Sequence, residues 1–272
     1  MVEPNIRHTM SRLVLTLSLL VLVAATAQAQ QPFVTDDADT TPKKRFHFEF
    51  SNEFDLLKKS SFPNLKQNTA DFELDYGLFE NVEIGIESPL LTIFNAAGTG
   101  PRVVSGIGDT NVSLKYNFHR ERENSRMPAL ALGLNLETPT GDTSRQLGSG
   151  LADFYINGIL QKSLTKTTTL RLNGGILFSG NQTTGVIGIK SRGTVFTAGG
   201  SWVRQFTPKL QLGAELTGAV TKNLELGKGN LQTLVGGNYQ LRDNASFDFG
   251  ILAGISGSSP RVGVQLGVSF DF

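Results

Sequence analysis

From Arg45 to Phe272 the chain alternates apolar and polar side chains in runs of about ten residues, the length a tilted membrane strand needs. The last run has no break: Val262, Val264, Leu266, Val268, Phe270 and Phe272 share one face, and Arg261, Gln265, Ser269 and Asp271 the other. The first run sets Phe46, Phe48, Phe50 and Phe54 against His47, Glu49, Ser51 and Glu53. In between, Phe72, Leu74, Tyr76 and Leu78 oppose Glu73 and Asp75, while Val82, Ile84 and Ile86 oppose Glu83 and Glu87. Further runs place Lys115, Glu137, Asp153, Arg171 and Glu215 on the wet face of apolar ladders. Two stretches alternate poorly, 194–206 and 231–241.

The connections alternate too. Long segments rich in Gly, Asn, Thr and Ser (55–68, 92–107, 138–149, 179–193 and 222–230) are separated by tight links at Glu80-Asn81, Thr207-Pro208 and Arg242-Asp243-Asn244. The 119–127 link is longer and charged, and the 256–260 loop is short. These features predict an all-β fold: a transmembrane antiparallel up-and-down β-barrel of about twelve strands, with ten or fourteen also compatible. An even count brings both ends of the barrel to one side, with the tight links.

Alternation alone leaves the inside undefined, since a soluble sandwich or lipocalin-like barrel would bury the apolar face. Mid-strand charges favour the inverted arrangement, because they are costly in lipid and tolerable in a hydrated lumen. The expected lumen lining is Glu49, Glu53, Glu73, Asp75, Glu83, Glu87, Lys115, Glu137, Asp153, Arg171 and Glu215. Aromatic residues collect at the tight-turn ends: Phe46, Tyr76, Phe118, Trp202, Phe206, Tyr239, Phe247 and Phe270 form an expected periplasmic girdle.

The amino terminus follows another pattern. Arg7 and Arg12 precede an apolar run, Leu13 to Ala25, and Ala27-Gln28-Ala29 supplies small residues for cleavage. Residues 1–29 therefore read as a secretory signal peptide; an anchored helix would need about 20 apolar residues. Residues 30–44 are polar and read as a flexible lead-in, and 45–272 as the barrel. Charge is balanced, with 25 Lys+Arg and 24 Asp+Glu. No basic block would hold nucleic acid. There is no cysteine, so neither disulfides nor thiolate metal sites are possible.

Catalytic chemistry is sparse. The histidines are His8, His47 and His119, and no nucleophile elbow accompanies them. Asp36, Asp37 and Asp39 lack the glycine and distal glutamate of a calcium loop. No catalytic residue, metal or cofactor is assigned, and an enzyme is not expected. Charges on opposing lumen walls can instead create a transverse field that selects hydrated solutes, or they can pair and fill the interior.

The terminal strand, ending on Phe272, resembles the closing strand of bacterial outer-membrane barrels, where the final aromatic is the signal read by the assembly machinery. GIGDTNVSLKYNF (106–118), LNLETPTGD (134–142), LGSGLADF (147–154) and LRLNGG (170–175) resemble the phenol-degradation meta-pathway family of outer-membrane proteins. That resemblance implies a barrel in the bacterial outer membrane, in contact with its lipids, and passive transport of small solutes, aromatic compounds among them; about twelve strands make any such channel narrow. It supplies no catalytic residues. The alternatives are a lipid-modifying outer-membrane enzyme, for which His47 is the candidate, and a non-conducting structural or adhesive barrel.

Overall fold

The computed structural model describes residues 31–98, 100–123, 125–181, 190–221, 229–257 and 259–272; the expected signal peptide lies outside them. Among these residues thirteen strands form one antiparallel sheet. They are β1 (Phe46–Leu56), β2 (Asn64–Phe79), β3 (Val82–Asn95), β4 (Val103–Ile107), β5 (Thr110–His119), β6 (Ala129–Thr138) and β7 (Asp153–Thr165). Then follow β8 (Thr168–Asn181), β9 (Lys190–Thr207), β10 (Leu210–Thr221), β11 (Gly229–Arg242), β12 (Ala245–Gly257) and β13 (Val262–Asp271). The strands pair in chain order around the ring, and β1 pairs with β13, so the sheet closes on itself. Closure leaves no edge whose N–H and C=O groups would face hydrocarbon unpaired.

The short β4 and β5 share one place in the ring. β5 pairs with the Val82–Glu87 half of β3, and β4 with the Leu90–Phe94 half. The barrel is therefore twelve strands around. The sequence pattern makes 92–107 a loop; Val103–Ile107 is strand instead, its five residues too few to reveal a period. β2 also starts earlier than expected, at Asn64, because Lys66, Gln67, Asn68 and Thr69 put polar residues on both faces and hide the alternation.

Burial settles which face looks where. Ile86, Val235 and Ile251 are 50%, 61% and 60% exposed, whereas Asp153, Arg171 and Asp248 are 2%, 1% and 1% exposed. A water-soluble protein would reverse these values. Apolar outside and charged inside suits hydrocarbon around a polar lumen. No helix among the described residues is long and apolar enough to cross a membrane; the strands cross instead.

Tight turns at 80–81, 166–167, 208–209 and 243–244 share one rim with Phe46 and Phe272. There the Phe46 N–H donates to the Phe272 carbonyl at 2.8 Å, and the Phe272 N–H donates back at 3.0 Å. The Phe46 ring lies 4.8 Å from that of Tyr76 and 5.7 Å from that of Phe272. The seam is thus closed by a backbone pair and an outward aromatic cluster.

The largest departure from expectation is the lead-in. Residues 31–41, expected to be flexible, lie inside the barrel: Phe33, Thr35, Asp37, Ala38 and Thr41 are all buried. The segment is polar because its surroundings are polar. Burial in a charged lumen selects the same residue types as exposure to water.

The lumen as candidate functional site

Three kinds of contact seat residues 31–41. Backbone N–H groups of Val34 and Thr35 donate to the Glu215 carboxylate, and that of Thr41 donates to Glu83. Acidic side chains reach cations on the wall. Asp37 lies 3.4 Å from Arg171 and 3.9 Å from Lys115, and Asp36 is 3.5 Å from Lys115. Lys115 also meets Glu83 at 3.2 Å. Finally, Phe33 packs against Val203, Leu234 and Leu252, while Ala38 packs among Ala129, Ala131 and Ile159.

Those apolar sockets explain the poorly alternating stretches. Val203 follows outward Trp202, and Leu234 precedes outward Val235, so two consecutive residues are apolar on each strand. The inward member faces the buried segment rather than lipid.

The segment leaves the lumen over Gly77. The Lys44 N–H donates to the Gly77 carbonyl at 2.7 Å, and the Gly77 N–H donates to the Arg45 carbonyl at 3.1 Å. A Cβ at Gly77 would run into the carbonyl oxygens of Thr41 and Pro42. Only glycine leaves room for the chain to pass into β1.

Of the expected lumen residues, Glu49, Asp75, Glu83, Lys115, Asp153, Arg171 and Glu215 are buried on the inner face. Glu53, Glu87 and Glu137 line an interior cavity, and Glu73 pairs across strands with Glu49 and Glu87. Asp248, which the alternation sets opposite Phe247 and Phe249 but the expected lining omits, is buried there too, as is Asp55 from the expected 55–68 loop. The girdle residues Phe46, Phe118, Trp202, Phe206, Tyr239 and Phe270 are exposed on the outer face; Tyr76 and Phe247 are half-buried.

Above the seated segment a cavity of about 560 Å3 opens. Val34, Thr35 and Asp36 form part of its boundary. At the outer mouth the 139–152 loop folds against the wall. Asp109 accepts from the N–H groups of Gly141 at 2.8 Å and Ser149 at 2.9 Å. Leu147, 1% exposed, packs on Leu91 and Ile93. Asp109 belongs to GIGDT, Gly141 to LETPTGD and Ser149 to LGSGLADF, so three motifs separate in sequence meet at one carboxylate.

His47 is badly placed for catalysis. Its Nδ1 lies 2.7 Å from Asp271 and its Nε2 2.8 Å from Glu49, so both nitrogens are engaged by carboxylates and neither is left as a base. Ser269 donates to Asp248 at 3.1 Å rather than to the imidazole. No cluster of metal-ligating side chains occurs among the described residues.

Solved structures of low sequence identity share this architecture. The NanC porin superposes with a TM-score of 0.56 at 11% identity, covering 83% of this chain and 98% of its own. The KdgM porin gives 0.53 at 13% identity, covering 83% and 99%. The translocator domain of the autotransporter NalP from Neisseria meningitidis gives 0.50 at 10%, covering 96% and 98%. At these identities the likeness is one of fold. A search of curated proteins found no match. Residues 29–272 match the family described as "Putative MetA-pathway of phenol degradation", and the chain, a transmembrane β-barrel, belongs to that family.

Proposed function

We propose that the barrel is a narrow passive channel for small hydrated solutes across the bacterial outer membrane, held closed by residues 31–41. The observation that carries this is the lumen itself: a charged inner wall, interrupted by apolar sockets, with a cavity above a single threaded segment. The two porins that share the fold support the same assignment. Acidic side chains on the inner face far outnumber Lys115, Arg171 and His47 among the described residues. The open lumen is therefore cation-preferring. A catalyst is disfavoured because His47 is spent on two carboxylates.

Cleavage after Ala29 would place the new terminus beside Gln31, whose side chain contacts Gln265 on the inner wall. Outer-membrane lipids are the partner of the apolar face, and the assembly machinery that of Phe272. The test is the reversal potential of the refolded protein lacking 31–41 in a potassium chloride gradient. Cation selectivity is expected. Anion selectivity, or a bilayer that stays sealed, would overturn the proposal.

A further inference from the structure

The cavity above residues 31–41 has two unlike sides. Glu53 on β1, Glu87 on β3, Glu137 on β6 and Asp153 on β7 line it, together with Asp36. Among the described residues no Lys, Arg or His lines it. Tyr155 on β7, Leu177 on β8 and Ala219 on β10 contribute an inward apolar patch, continued by Val195. Inward apolar residues are out of place in a hydrated channel, and no residue of the 31–41 segment belongs to this patch as Phe33 does to its own socket.

A third observation is polar. Asn157, 5% exposed, also lines the cavity, and its side-chain oxygen has no hydrogen-bond partner among the described residues. Its amide nitrogen is taken by Asn173. The unused group is thus an acceptor, like the carboxylates. A buried acceptor left without a donor is unfavourable, so a ligand N–H that reaches it gains by entering.

We propose that this cavity is a binding site for organic ammonium ions that carry an apolar body. The ammonium presents its N–H donors to Glu53 and Glu87, and the hydrocarbon lies on Tyr155, Leu177 and Ala219. A bare inorganic cation forfeits the apolar contact. A carboxylate of the same shape meets like charge. The proposal rests on the lumen being a solute path and names the class of solute.

The test is equilibrium binding to the folded full-length mature chain in detergent, by titration calorimetry against a protein-free blank. The probes are cyclohexylammonium, methylammonium, cyclohexanol and cyclohexanecarboxylate. Cyclohexylammonium is expected to bind at least tenfold more tightly than each of the other three. Glu53→Gln with Glu87→Gln should cut its affinity about tenfold and leave cyclohexanol unchanged. Leu177→Asn should erase its advantage over methylammonium.

Equal binding of the carboxylate, or an unchanged affinity in the double variant, would overturn the site. If binding is as expected but ion current is absent even without residues 31–41, the channel assignment falls and the ligand class stands. If current is normal and cyclohexylammonium does not bind, the reverse holds.

Discussion

Asp37 lies 3.4 Å from Arg171, and both are almost fully buried at the centre of the barrel. This pair ties the amino-terminal segment to β8. Removing one member of a buried pair leaves the other charge uncompensated, at a cost of about 3–5 kcal/mol. Asp37→Asn should therefore loosen the segment while sparing the barrel. The chain has no cysteine, so Ala38→Cys makes a sole reporter at a position with no exposure. A membrane-impermeant thiol reagent should modify that cysteine at least tenfold faster when Asp37→Asn is also present. Equal rates would mean that the charge pair does not hold the segment.

Gly77 supplies an independent route to the same outcome. The side chain introduced by Gly77→Val would strike the Thr41 and Pro42 carbonyls, with no change of charge. The Ala38→Cys reporter should again become reactive. A cysteine that stays protected in the Gly77→Val background would show that the passage is wider than the geometry states.

At the outer mouth, Asp109→Ala removes the acceptor of two loop N–H groups. The local cost is about 1–3 kcal/mol for each group left buried and unsatisfied. Amide exchange at Gly141 and Ser149 should accelerate by at least tenfold, with protection in β12 and β13 unchanged. Loss of protection throughout would assign Asp109 to global stability instead.

The lipid-facing surface is tested by paired substitutions. Ile86 points outward and is 50% exposed, and Ile86→Arg should cost about 2–4 kcal/mol in a bilayer. Ser113 is half-buried opposite Gly85, and the ammonium of Ser113→Lys would sit near Asp75 and should cost far less. Denaturant unfolding in lipid vesicles measures both. Equal costs would argue that the two faces see the same medium.

At the tight-turn rim, partial burial works to raise Glu121, but hydrogen bonds from Lys162 and the Ser163 N–H outweigh it and hold the carboxyl below its usual range. The contact therefore contributes above the ordinary glutamate pKa and is lost as pH falls through the depressed value. Carbon NMR of Glu121 should titrate below a glutamate model peptide, and Lys162→Met should restore the ordinary value. An unshifted titration in the parent would remove this anchor for the 120–128 turn.

The barrel wall is legible in the sequence because lipid on one side and water on the other impose a strict period of two, as from Val262 to Phe272. Where a third medium intrudes, the period fails. Val203 and Leu234 face a buried segment, so their strands carry consecutive apolar residues. The segment itself escapes a sequence reading because Asp36, Asp37 and Thr41 are what a polar interior and bulk water would equally select. Asp109 gives one signal, membership of a Gly-Asp-Thr junction, but its partners lie 32 and 40 residues away and only the fold brings them in. The Tyr155–Leu177 patch gives the same signal as those sockets, since Tyr155 and Leu177 each sit between outward apolar neighbours and break the alternation.

Single-channel conductance of the mature chain, compared with the same chain lacking residues 31–41, addresses the central claim most directly. The full chain should show small or rare openings, and the shortened chain frequent steps several-fold larger. Asp37→Asn should shift the full chain in the same direction. Identical conductance in all three would mean that the threaded segment does not close the path.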